Sequence, residues 1–115
     1  MKLNELNNYV LHDSCILKVT KQDNNLTFEI MYCLFMQNNY KEGDPENARI
    51  ELTFHNVKDY SNEKNSYDSD EIIEININND EVTIIAEDFK HNTYTIKFKA
   101  SSYDFKIIEI IDSLD

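Results

Sequence analysis

The sequence predicts a small all-β domain, mostly antiparallel, built as a β-sandwich or a half-open curved barrel of six to eight strands. Three runs carry that expectation. Leu26, Phe28, Ile30, Tyr32 and Leu34 share one parity; so do Ala48, Ile50, Leu52 and Phe54; so do Tyr94, Ile96, Phe98 and Ala100. Successive side chains on a strand point to opposite faces, so a period of two gives one face to a core and the other to water. A chain of 115 residues supports one such core, and nothing along it repeats or marks a domain boundary.

Residues 1–13 space Leu3, Leu6 and Val10 by three and four, enough for a turn or two of loose helix. A first strand is predicted over Ser14–Lys21, with Cys15, Leu17 and Val19 facing inward. The polar turn Gln22–Asn25 leads to a second strand from Leu26 to about Met36. Gln37–Asn47 holds the only glycine and the only proline and reads as a loop. A third strand follows at Ala48–Phe54, with a parity slip before Val57 that suits a bulge or a strand end.

Tyr60–Asp70 is polar and acidic and is expected to be a second long loop. A fourth strand at Glu71–Asn78 points Ile73, Ile75 and Ile77 inward. Asn78-Asn79-Asp80 tolerates positive φ and turns the chain into a fifth strand, Glu81–Ala86. A sixth covers Thr93–Ala100. Residues 105–114 fit a strand by their isoleucines and a helix by the spacing of Ile107, Ile110, Ile111 and Leu114; β-branching favours the strand. The predicted core is Leu17, Val19, Phe28, Ile30, Ile50, Leu52, Phe54, Ile75, Val82, Ile84, Ile96 and Phe98.

The chain carries 11 Lys and Arg against 22 Asp and Glu, a net charge of -11. Residues 41–80 hold four of the cations and eleven of the carboxylates, or -7. Such a field repels phosphate backbones, which argues against nucleic acid, and it steers basic proteins inward. No apolar run reaches the roughly 20 residues of a membrane helix, and the N-terminus lacks a signal-type apolar block. A cytoplasmic protein that binds neither membrane nor nucleic acid is therefore expected.

Catalytic motifs are not evident. One glycine cannot build a phosphate loop or a nucleophile elbow, and Cys15 and Cys33 have no zinc-ligand spacing to each other or to a histidine. Both cysteines are expected to be small buried or half-buried thiols. No metal or other cofactor is expected, and no residue is assigned a catalytic role. A candidate polar site is His12 with Asp13, joined by His55 on the polar parity of the third strand. A candidate docking surface sets Tyr40, Tyr60 and Tyr67 among the carboxylates Asp59, Glu63, Asp68, Asp70 and Glu71, because tyrosines with charged rims recur at protein interfaces.

The runs Leu11-His12-Asp13-Ser14, Asn25-Leu26-Thr27-Phe28-Glu29-Ile30, Ile50-Glu51-Leu52-Thr53-Phe54 with Val57, and Ile96-Lys97-Phe98-Lys99-Ala100-Ser101-Ser102 carry a resemblance. The chain resembles a loose group of small bacterial all-β proteins, some of them immunity proteins of polymorphic toxin systems. That resemblance implies a non-enzymatic module that covers a basic toxin domain. The other reading is a small-ligand binder or enzyme centred on His12 and Asp13.

Overall fold

The computed structural model describes residues 1–62 and 67–111. Eight strands form one antiparallel sheet in the order β4-β7-β6-β5-β1-β2-β3-β8. They are β1 (Cys15–Gln22), β2 (Asn25–Cys33), β3 (Asn47–His55), β4 (Lys58–Asn62), β5 (Asp70–Asn78), β6 (Glu81–Glu87), β7 (Thr93–Lys99) and β8 (Ser102–Ile111). Residues 105–111 are thus strand.

The sheet is two four-stranded halves joined at a corner. β1 and β5 pair through only Cys15 with Glu71 and Ile16 with Asp70, whereas β2 and β3 share eight register pairs. Phe28 on β2 lies four strands from Phe98 on β7, about 19 Å away in a flat sheet at the usual strand spacing. Their ring centroids are 6.2 Å apart, and those of Phe54 and Phe98 are 4.8 Å apart. The halves have folded onto each other. One apolar core fills the space between them, and it includes Phe28, Ile30, Ile50, Leu52, Phe54, Val82, Ile84, Ile96 and Phe98.

The N-terminal segment plugs an open side of this fold. Its 3-10 helix, Leu3–Asn8, buries Leu3 and Leu6, and Leu11 follows them into the core. Tyr9 stacks on Phe105 of β8 at 4.5 Å. Gln37 ties the segment down: its amide nitrogen donates to the carbonyls of Val10 (2.8 Å) and Cys33 (2.9 Å), and its oxygen accepts from the Val10 N–H (2.9 Å).

Two bulges correct the predicted facing. In β1 the register shifts between Ile16 and Lys18, so Ile16 is buried, Leu17 is only half-buried, and Val19 packs at the core margin. In β5 it shifts between Ile72 and Glu74; Ile72 is buried, while Ile73 occupies the bulge and Ile75 and Ile77 lie at the margin. An extra residue reverses the parity of everything before it, which period-two counting misses. β2 also stops at Cys33, where Leu34–Met36 form a 3-10 turn. The predicted loop at Tyr60–Asp70 opens within a short edge strand, β4, and closes on the first residue of β5.

Candidate functional site

Antiparallel order decides which connections meet. The starts of β1, β3, β5 and β7 and the ends of β2, β4, β6 and β8 all lie toward the corner. Asp13, the described corner-end loops and the flanking strand residues Glu71 and Glu87, the buried Asp70 left aside, carry Asp13, Glu42, Asp44, Glu46, Asp68, Glu71, Glu87 and Asp88 against Lys41 and Lys90, two cations minus eight carboxylates, or -6. The turns at the far ends, with the two strand residues on either side of each, carry Asp23, Asp59, Asp80 and Glu81 against Lys21, Lys58 and Lys99, or -1. The excess negative charge is concentrated at one end of the molecule.

At the centre of that end three carboxylates crowd together. Glu71 and Glu87 stand directly opposite each other across β5 and β6, a like-charge pairing that costs stability. Asp13 sits beside Glu71 because its backbone N–H donates to the Ile72 carbonyl (3.0 Å) while the Ile72 N–H donates to Ser14 (2.8 Å). A hydrogen bond shared with Asp13, reinforced by burial and the charges of Asp13 and Glu87, holds the Glu71 carboxyl above the usual range. Asp13 adopts φ 70, a left-handed conformation that Asp tolerates better than most residues.

Two imidazoles flank the cluster. His12 directs Nδ1 at the Ile73 carbonyl (2.7 Å) in the β5 bulge, so Nδ1 carries the proton, and Nε2 lies 3.3 Å from Asp13 Oδ1. His91 places Nδ1 2.8 Å from Glu87 Oε1, and that hydrogen bond and charge raise the imidazole's pKa. Among the described residues, these are the only ion-pair partners within 4.0 Å of Asp13, Glu71 or Glu87. Both partners are imidazoles, so among the described residues no lysine or arginine stands within ion-pair distance of the three carboxylates.

Beneath lies a buried layer. Asp70, paired with Ile16 at the corner, is 2% exposed and accepts a 2.6 Å hydrogen bond from the Tyr94 hydroxyl. Burial first, then Asp70, pushes the phenol upward and keeps it a donor. Ser14 Oγ accepts the Cys33 N–H (3.1 Å), and Cys33 Sγ donates to the Asp13 carbonyl (3.4 Å). Cys15 is half-buried and Cys33 buried; both are free thiols whose pKa values are raised, chiefly by burial, which makes them poor nucleophiles.

The residues of the predicted docking surface scatter. Glu71 and Asp68 belong to the acidic end, with Asp68 exposed. Tyr67 packs against Tyr94 with centroids 6.4 Å apart, and Tyr60 packs on the core, so these rings cover the fold more than they offer themselves. Asn62 Nδ2 donates to both their hydroxyls. Tyr40 closes its own turn by donating to the Asp44 carbonyl (2.9 Å). Asp59 is at the other end of β4, 3.8 Å from Lys99 Nζ. Asp70 is corrected from a solvated loop carboxylate to a buried strand residue, because a strand beginning at 70 turns that side chain inward. Glu63 lies outside the described residues.

His55 does not join His12. It bridges Asn25 Oδ1 (3.1 Å) and Asp104 Oδ2 (2.7 Å) at the far end of β2, whereas His12 lies beside the end near Cys33. Eight residue steps of β2 separate those ends, about 26 Å at the usual rise. Sequence reasoning missed Glu87 and His91; their only sequence signal is the pair at i and i+4 closing the turn between β6 and β7.

The outer face of β1–β3 also forms an open polar cleft of about 510 Å³, lined in part by Lys18, Thr20, Thr27, Glu29, Glu51 and Thr53. Two of its lining residues, Thr27 and Thr53, hydrogen-bond each other at 3.1 Å. No group of three or more His, Cys, Asp or Glu among the described residues could hold a metal ion, and no described helix is long and apolar enough to cross a membrane. No family model, no curated protein and no solved structure matches the chain. What the fold and site define is a class: an open, curved all-β domain with one acidic end.

Proposed function

We propose that this chain is a non-enzymatic protein-binding module whose acidic corner end docks on a basic protein domain, as an immunity-type inhibitor covers a toxin. The observation that carries this reading is the Asp13–Glu71–Glu87 cluster, with Glu71 raised by its neighbours. Like charges held together weaken the fold that holds them. A lysine or arginine from a partner would relieve that repulsion, so binding would gain what folding loses. The surrounding -6 of the acidic end would also speed encounter with a cationic surface.

The competing reading centres on His12 and Asp13, which stand 3.3 Å apart, without His55, which lies at the other end of β2. Affinity capture from cells of the source organism, followed by binding measurements on the protein recovered, tests the choice. A basic partner should lose at least about tenfold in affinity to the triple variant Asp13→Asn, Glu71→Gln, Glu87→Gln, the scale of one or two desolvated charge contacts. Its on-rate should fall as salt is raised toward a Debye length of about 8 Å. His12→Ala should leave binding nearly intact. A partner indifferent to the triple variant but lost with His12→Ala would reverse the assignment.

A further inference from the structure

We infer that β8 is a self-association edge, and that two copies of this chain pair antiparallel through it to make one continuous sheet. The two edges of the sheet are built differently. β4 has five residues, a register shift between Lys58 and Ser61, and Asp59 at φ 55. Those are the features by which proteins blunt an edge. β8 has ten residues, and Ile107, Ile108 and Ile110 are 50%, 37% and 49% exposed.

Among the described residues, the free side of β8 is open. Tyr103 turns its N–H away from β3 to the Met1 carbonyl (3.0 Å), and among the described residues this is the only backbone hydrogen bond β8 makes outside its ladder with β3. Alternation along an antiparallel ladder then places the N–H and C=O of Phe105 and, past the bulge, of Ile110 on the same open side.

The second copy is chosen by charge and register. A twofold axis between two antiparallel edge strands stands perpendicular to the sheet, so opposed residues must lie on one face. Lys106 and Glu109 are three apart and would ordinarily point to opposite faces. β8 carries one extra residue, Ile108, between the pairs Ile50–Ile107 and Arg49–Glu109. The bulge brings Lys106 and Glu109 to the same outer face, the face on which Arg49 meets Glu29 and Glu109.

An axis between Ile107 and Ile108 therefore sets Lys106 opposite Glu109 of the partner subunit, twice by symmetry. It brings Ile107 and Ile108 of both copies to the axis and sets Phe105 opposite the partner's Ile110. The strand itself carries one lysine and two carboxylates, or -1, so the charge of the acidic end is not on this edge. This inference stands apart from the docking reading and does not depend on it.

Sedimentation velocity from micromolar to about millimolar protein tests it, at a salt concentration that brings the Debye length to about 8 Å. The unaltered chain should dimerise. Ile108→Lys, which sets two cations beside the axis, should be monomeric over that range. Lys106→Glu should weaken the dimer by about tenfold, and Lys106→Glu with Glu109→Lys should restore it, since two exposed charge pairs change sign and then change back. Circular dichroism confirms that each variant is folded, and Lys106→Glu alters a surface position that leaves the fold intact if Ile108→Lys does not. A monomer throughout, a dimer indifferent to both variants, or a charge reversal without rescue would overturn the inference.

Discussion

Phe98→Ala is the sharpest probe of how the two halves of the sheet hold together. The Phe98 ring is 1% exposed on β7 and meets Phe28 at 6.2 Å and Phe54 at 4.8 Å, both from the opposite half. Those partners are fixed by the β2–β3 ladder, Phe28 opposite Leu52 and Phe54 opposite Leu26, so they cannot collapse into the space left behind. Removing a buried aromatic from a site that refills poorly costs about 3–5 kcal/mol. Within that loss, each ring contact accounts for about 0.5–1.5 kcal/mol. A chain of this length has a total stability of about 6–17 kcal/mol, so one side chain carries a large share.

Urea unfolding should show the midpoint falling with an unchanged slope, and the melting temperature should drop by about 15 °C, taking about 4 °C per kcal/mol for a domain of this size. Phe89→Ala, at a ring 69% exposed in the turn before β7, is the control and should stay within about 0.5 kcal/mol. A Phe54→Ala and Phe98→Ala double-mutant cycle should return a coupling of about 1 kcal/mol. A loss under about 1 kcal/mol for Phe98→Ala, or zero coupling, would mean that the halves do not pack through these rings.

Three further outcomes follow from the acidic end. Tyr94→Phe leaves the buried Asp70 without its hydroxyl donor and should cost about 1.5–3 kcal/mol, the range for hydrogen bonds to charged groups, read by the same urea melts; an unchanged midpoint would show that the phenol contributes nothing. Glu71→Gln should raise the melting temperature at pH 7 by about 2 °C, from like-charge relief on the order of 0.5 kcal/mol. The sign follows from linkage: a carboxyl whose folded pKa is raised holds its proton more tightly when folded, so stability falls as pH rises from 4.5 through that raised value. The gain from Glu71→Gln should therefore vanish near pH 4.5, and a gain independent of pH would exclude a charge origin. Asp68→Asn, at an exposed position, should leave the melting temperature within about 1 °C, while Asp70→Asn should lower it, which separates the solvated carboxylate from the buried one.

The all-β class and most strand positions were legible in the sequence, because side-chain alternation is a local property that each strand displays by itself. Phe28, Ile30, Ile50, Leu52, Phe54, Val82, Ile84, Ile96 and Phe98 are buried as the alternation requires. The inward sets of β1 and β5 were not legible in full, because a bulge adds a residue without leaving a composition signal. Asp70 was misplaced for a related reason: the strand starts two residues before its hydrophobic run, so an acidic residue becomes the inward-facing one. Which polar groups meet was decided only by tertiary structure. Asp13, Glu71 and Glu87 are separated by 58 and 16 positions along the chain, and nothing in their local contexts couples them. The corner between β1 and β5 brings them together, and the length of β2 keeps His12 and His55 apart. Local patterning specifies how each segment meets a core; strand order and the fold at the corner specify which charges must share a surface.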